Sequence, residues 1–327
     1  MIQIFKHSQQ LKIMNKEEKE SVSAGANKSR VAEVEEAAAE YMRLAVQKAM
    51  DAKLQADYAN RDQLPDHQRH ALELCAVGKM EEAIASVHTD ASNQEAAGRH
   101  LFLAELLIDA SRFDEAEQHY LKAVTIFPSY DNHLAAGHFY ASLSHPFFPS
   151  RHQCLKALQY YKRCLSLAGS PEQKARVLNK LGRLHNDLHK YTKALKSYKK
   201  ALKIYRQLAE EDPQAYLPYA VKVFDHLVSF HRVHNAFSKV WKTSEEVLRT
   251  YRQLAEGNPQ AYLPNVAKAL TDLAFFYLCE RPNQKWSLRY ANEAIEVLGK
   301  CNDTPFVRNQ LKNAKEMIEQ WNQKQQL

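Results

Sequence analysis

The chain has 327 residues, 45% apolar and 25% charged, with 45 Lys+Arg against 38 Asp+Glu and a formal net charge of +7. That balance excludes low-complexity and collagen-like chains and is ample for a buried core. No run approaches the roughly 18 apolar residues that a membrane span needs. Only 8 Gly are present and apolar residues recur at helical spacing, so the chain reads as almost wholly α-helical. Cys75, Cys154, Cys164, Cys279 and Cys301 form no CxxC pair, which suits reduced thiols in a cytoplasmic protein. The charge is uneven. Residues 172–327 hold 26 Lys+Arg against 16 Asp+Glu, leaving 19 against 22 for the rest, so an electrostatic partner is expected to meet the second half.

In chain order, residues 1–28 are polar, lack the apolar core of a secretory signal and are expected to be disordered. A first helix is expected over 29–63, carried by Val31, Val34, Ala38, Tyr41, Leu44 and Ala45. From 64 to 302 a two-helix pattern recurs about six times. ALELCAVGKMEEAIASV has Gly78 at the interhelix turn and Ala83 as the small residue beyond it. The next copy places Ala104 on its first helix and Ala116, Tyr120 and Ala123 on its second, closing at Pro128. Gly137, Ala157, Tyr161 and Cys164 make another, its turn lengthened by a loop from about Ser144 to Gln153. There Phe147 and Phe148 sit between prolines, either as an exposed anchor or folded back onto the array.

The cleanest copy, KLGRLHNDLHKYTKALKSYKKAL, carries Gly182, Tyr191, Ala194, Tyr198 and Ala201, with Gly182 and Ala194 expected to meet where its helices cross. After it come YRQLAEEDPQAYLP, beginning at Tyr205, and YRQLAEGNPQAYLP, beginning at Tyr251: twelve of fourteen residues are identical at a spacing of 46. Asp212-Pro213 and Asn258-Pro259 read as an N-cap followed by Pro at the first helical position. Pro218 and Pro264 lie deeper, where a kink or restart is expected. In these copies Val228 and Val240 replace the small residues. Ala274, Ala291 and Ala294 restore them in the last copy, after one extra residue near Arg281-Pro282-Asn283. Residues 303–327 read as a capping helix and tail, with Phe306, Leu311, Ala314, Ile318 and Trp321 on its apolar face.

The Gly/Ala, Tyr, Ala, Tyr/Phe, Ala and Pro positions of these copies resemble the tetratricopeptide repeat family, whose unit is about 34 residues. The 46-residue version resembles the long repeats of bacterial signalling proteins and kinesin light chains. The resemblance implies a right-handed α-solenoid of antiparallel helix pairs whose concave groove, lined by the first helices, holds a protein or peptide. Carried over by position, the groove positions are Arg176, Asn179, Arg183 and Asn186, then Lys222, Asp225, Ser229 and Arg232, then Lys268, Thr271 and Phe275, with Arg176, Asn179, Arg183, Asn186, Lys222, Arg232 and Lys268 the expected ligand contacts. Such cations suit an acidic segment or a carboxylate.

No phosphate-cradling, nucleophile-elbow or zincin motif is present, so an enzyme is not expected, nor a cofactor or small-molecule substrate. His185 with His189 and His231 with His234 lack a third ligand at metal spacing, so no metal is expected. The lysines of Lys190–Arg206 read as a solvated helix exterior, and nucleic acid is not an expected partner. The reading is a non-enzymatic adaptor. Its alternative is a sensor or regulatory subunit of a separately encoded signalling ATPase or transcription factor.

Overall fold

The computed structural model describes residues 24–87, 94–144 and 149–324. Among them are fourteen α-helices and no strand. The chain divides into two compact units, Met1–Tyr160 and Tyr161–Leu327. The first holds α1 (Ala24–Ala59), α2 (Asp66–Ala76), α3 (Met80–Ser86), α4 (Gln94–Asp109), α5 (Phe113–Ile126), α6 (Tyr130–Ser142) and most of α7 (Arg151–Leu167). The second holds α8 (Pro171–Asp187), α9 (Tyr191–Glu211), α10 (Pro213–Val233), α11 (Phe237–Gly257), α12 (Pro259–Phe275), α13 (Gln284–Leu298) and α14 (Pro305–Lys324). The expected polar segment lies outside the described residues except for 24–28, which form the first turn of α1. Phe147 and Phe148 also lie outside them.

Four helix pairs close through one turn. Gly78, Ser111, His189 and Asn235 take φ of 78°, 61°, 57° and 53°. The next amide in each, at Lys79, Arg112, Lys190 and Ala236, donates to the carbonyl five residues back at 2.9, 2.7, 2.7 and 2.9 Å. That left-handed residue satisfies carbonyls the helix end would otherwise leave open. Seven residues before it stands a small residue at three of the four sites, Ala71, Ala104 and Gly182. Five residues after it stand Ala83, Ala116, Ala194 and Val240. All of these are buried, which lets the two helices of a pair approach closely. Ala157, Ala201, Gly137 and Ala274 are buried as well.

A Cβ at Gly78 would meet nothing within 4 Å. Gly78→Ala is therefore expected to destabilise through backbone strain alone, by about 1 kcal/mol. An unchanged denaturant midpoint would show that the turn can relax out of the left-handed region.

Two 21-residue helices, α10 and α11, a three-residue turn and the single residue Asn258 fill the 46-residue period. Asp212 ends α9 through its amide to Leu208 and starts α10 through Oδ1, which accepts from Ala215 N at 3.0 Å. Asn258 repeats both contacts with Leu254 and Ala261. One polar residue thus caps two helices. Pro218 and Pro264 do not restart their helices; α10 and α12 run on through them. Each sits early enough to forfeit a single backbone bond, which burial of the long helix outweighs. Equivalent ion pairs cross-link second helices: Arg206 reaches Glu246 at 2.7 Å, and Arg252 reaches Glu293.

The last pair departs from the shared turn. Pro282 occupies the position of the left-handed residue, and its ring holds φ at about −65°. The extra residue is instead taken up just upstream, in a π-helical turn over Phe276–Glu280. Arg281 N then donates to Phe276 O at 3.0 Å, and Asn283 Oδ1 caps α13 at Trp286 N. Register is recovered by Ser287, fully buried, whose hydroxyl donates to Ala274 O at 2.9 Å. On α14 the buried residues are Val307, Gln310, Ala314 and Met317; of the expected stripe Ala314 is buried, Leu311, Ile318 and Trp321 are half-buried, and Phe306 is 43% exposed. Val307 and Leu311 pack with Ala267 and Leu298.

Candidate functional site

The first helices of the second unit carry the expected groove residues, and the 46-residue equivalence aligns them. Arg176 corresponds to Lys222 and Lys268, Lys180 to His226 and Asp272, and Asn179 to Asp225 and Thr271. On α8, Arg176, Lys180 and Arg183 stand at i, i+4 and i+7, a single stripe. α10 is tied to α8 beside this stripe by His226 Nδ1, which donates to Asn179 Oδ1 at 2.8 Å. Asn179 is therefore a bridge between helices.

The cations differ in how far they are already engaged. Arg176 bonds Glu172 on its own helix at 2.7 Å. Arg232 pairs with Glu280 at 2.6 Å, and the Glu280 side chain is only 4% exposed, in the π-helical turn. Lys268 pairs with Asp272 at 2.7 Å and also feels Asp225. Burial raises the Asp225 and Glu280 carboxyls from their ordinary range, and Lys268 and Arg232 respectively oppose that rise. Cation character is concentrated on α8 and Lys222 of α10, and charge is compensated farther along, at Lys268 and Arg232. Arg183 and Lys222 are exposed, with the Lys222 ammonium 5.2 Å from the Tyr219 ring centre. Asn186 is half-buried, and its Oδ1 has no hydrogen-bond partner among the described residues. Thr271 and Phe275 are buried in packing, so neither faces a ligand.

Lys180 is absent from the residues that repeat position selects, although it stands one turn from Arg176 and in register with His226. It is half-buried, and among the described residues it makes no hydrogen bond or ion pair. Burial first, then Arg183, Lys222 and Arg176, lowers its ammonium from the ordinary lysine value. Burial first, then Arg183 and Lys180, pushes the His226 imidazole down to about 4.

In the first unit the His100 and His119 Nδ1 atoms lie 2.8 Å apart, and burial followed by His100 and Lys122 takes His119 to about 4. Both His119 and His226 are held neutral in the folded chain, while in the unfolded chain they titrate near the ordinary 6.5. As pH falls from 6.5 towards 4, the unfolded state binds protons that the folded state refuses, so these histidines lower stability across that window. Urea unfolding at about pH 7.5 and 4.5 should show a smaller acid loss for His119→Gln and His226→Gln than for the unmodified chain. Equal losses would mean that neither ring is held neutral by the fold.

No group of three or more His, Cys, Asp or Glu able to hold a metal occurs among the described residues. A recess of about 180 Å³ lies in the first unit between α1 and the turn before α5, lined by Glu40, Arg43, Leu44, Gln47, Ser111, Phe113 and Asp114. None of the expected site residues lines it. No described helix is long and apolar enough to cross a membrane.

Residues 150–207 match a tetratricopeptide repeat model. No curated protein gives a significant match. Among solved structures, the chain is similar to a signal transduction ATPase with numerous domains that has a tetratricopeptide repeat sensor, from Pyrococcus horikoshii. Identity is 15% and the TM-score 0.53, over 76% of this chain and 37% of that one. It is also similar to the C-terminal part of a repeat-containing protein from Cytophaga hutchinsonii, at 13% identity and TM-score 0.48, over 84% of this chain and 98% of that one. A third likeness is MamA, at 16% identity and TM-score 0.42, over 57% of this chain and 96% of that one. The paired helices and the small residues recurring at their crossings give an all-α fold of the tetratricopeptide type, the repeat model itself matching residues 150–207, and repeats of this type serve in general as scaffolds for protein interaction.

Proposed function

We propose that the chain is a non-enzymatic adaptor that holds an acidic segment of another protein in the groove formed by the first helices of its second unit. The supporting observation is the stripe of Arg176, Lys180 and Arg183 on α8 facing Lys222 on α10, where the cations outnumber the acids that could neutralise them. Lys268 and Arg232, already paired with Asp272 and Glu280, act as structural ion pairs at the far end of this groove. Partly exposed charges give association rate and specificity more than raw affinity, and their contribution is screened by salt.

Panning a random peptide display library with the purified chain tests this. Selected peptides should be rich in Asp and Glu, and their binding should weaken several-fold between low and physiological salt. Selection of apolar or basic peptides with salt-insensitive binding would overturn the acidic-groove reading.

A further inference from the structure

We propose that the centre of this groove, Lys180 with Arg183 and Lys222 around it, seats a phosphoryl group carried on a side chain of the partner protein. The assignment of the carrier to a protein rests on the acidic-segment reading above. The choice of phosphoryl group rests on the cluster itself.

Burying an ammonium is unfavourable unless an opposite charge accompanies it. Other half-buried lysines of this chain obey that rule. Lys268 has Asp272 at 2.7 Å, and Lys156 has Glu117 at 2.7 Å. Lys180 has no acid within bonding distance among the described residues, and the charges acting on it are Arg183, Lys222 and Arg176, all cations. His226 sits in the same field of Arg183 and Lys180, pinned by Asn179 so that its ring stays part of the wall. The nearby acids are spoken for or peripheral: Glu172 bonds Arg176, Asp187 interacts with Arg183 from the C-terminal end of α8, and Asp225, one turn from Lys222 on α10, interacts with Lys268. The arrangement is a cluster of cations with no acid among the described residues bonded to the lysine at its centre.

Charge matching selects the ligand. With Arg176 already engaged by Glu172, three cations remain: Lys180 and Arg183 one turn apart on α8, and Lys222 on α10, the helix that His226 ties to Asn179 of α8. A carboxylate carries one negative charge and would leave two of them uncompensated. A phosphoryl monoester carries about −1.5 to −2 at neutral pH and offers three acceptor oxygens. Its oxygens suit one guanidinium fork and two ammonium point charges. A folded pair of helices, fixed by the Asn179–His226 bond, presents these donors without reorganisation of the backbone.

The experiment uses the full chain. Inorganic phosphate, O-phosphoserine, acetate and sulfate are titrated at matched ionic strength, following the nuclear magnetic resonance signals of the His226 ring and the Arg183 Nε. Phosphate and O-phosphoserine are expected to shift both signals saturably, and acetate at least ten-fold more weakly. Lys180→Met and Arg183→Gln should each weaken the phosphate response at least ten-fold, whereas Lys196→Gln and Lys200→Gln should not alter it. Lys180→Met is expected to melt no lower than the unmodified chain, because it removes a buried charge repelled by its neighbours. A display-selected acidic peptide should bind more tightly when a Ser in it is phosphorylated than when that Ser is replaced by Glu.

Acetate binding as well as phosphate, or a phosphate response that survives both Lys180→Met and Arg183→Gln, would overturn the inference. If the acidic peptide then still depended on Arg183, the groove reading would stand without it. Tighter competition by a short single-stranded oligonucleotide than by the phosphopeptide would overturn the protein carrier.

Discussion

Gly182→Ala is expected to destabilise the second unit by about 2 kcal/mol, and Gly182→Leu by more, because there is no room for even one carbon. An ideal Cβ at Gly182 would lie 2.5, 2.6 and 2.9 Å from Cε1, Cδ1 and Cζ of Tyr198. The ring, not Ala194, is the neighbour that the missing side chain accommodates. Tyr198 is 2% exposed and packed among Ala194, Ala201, Tyr205 and Phe230, so it cannot swing into solvent. Moving it would disturb α10 as well, since its ring lies 5.7 Å from His226 and 6.5 Å from Phe230. A double-mutant cycle makes the cause explicit. Tyr198→Ala alone should be costly through the cavity it leaves, about 3–5 kcal/mol by analogy with other buried aromatics. Combined with Gly182→Ala, the total loss should fall short of the sum by about 1 kcal/mol or more, because the clash no longer exists. Strict additivity would show that Gly182 matters for its backbone freedom and not for the ring.

The repeat architecture was legible because its demands fall on residue size at fixed spacing. Two helices that approach closely need small residues where they cross, and Ala104 with Ala116 or Gly182 with Ala194 announce that twelve-residue interval directly. Asp212-Pro213 and Asn258-Pro259 were equally plain, since few residue pairs start helices so strongly. The turns were not. Ser111, His189 and Asn235 adopt the left-handed region with their β-carbons intact; Asn and His tolerate it more readily than most residues but do not require it, so only Gly78 advertises the position plainly. Pro282 was the missed clue: it forbids that conformation, and the chain answers with the π-helical turn beside it. On α14 the expected stripe took Phe306 where Val307 is buried, because the face depends on where α12 and α13 lie and not on periodicity alone.

At the candidate site, carrying positions forward by 46 residues named the helices and several of the cations on which the proposed groove is built. It could not say which were already neutralised. Asp272 lies one turn from Lys268 and could have been read from spacing, but Arg232 and Glu280 are joined only because the last turn folds as a π-helix. Lys180 escapes a selection that steps from Arg176 to Asn179, Arg183 and Asn186, whereas i, i+4 places it directly over Arg176. That no acid among the described residues lies within bonding distance of it is a property of the packed surface that no single stretch of sequence expresses.

Reversing both free cations, Arg183→Glu with Lys222→Glu, is expected to weaken binding of a display-selected acidic peptide by about 100-fold or more, roughly 3 kcal/mol. Each reversal removes an attraction and places a like charge against the peptide, so the change exceeds simple deletion. Because both side chains are exposed, the fold should survive, and the melting temperature serves as the control. Lys196→Glu with Lys200→Glu changes the net charge by the same amount on α9 and should alter affinity by no more than about 2–3-fold through long-range steering, which salt suppresses. The comparison separates a located site from a diffuse positive surface. If the α9 pair matters as much as the α8 and α10 pair, the field of the whole unit attracts the peptide and no groove is involved. If only the α9 pair matters, the partner lies along the second helices. A loss confined to Arg183 and Lys222, with Lys268→Gln nearly silent in binding because that ammonium already serves Asp272, is the pattern this structure leads us to expect.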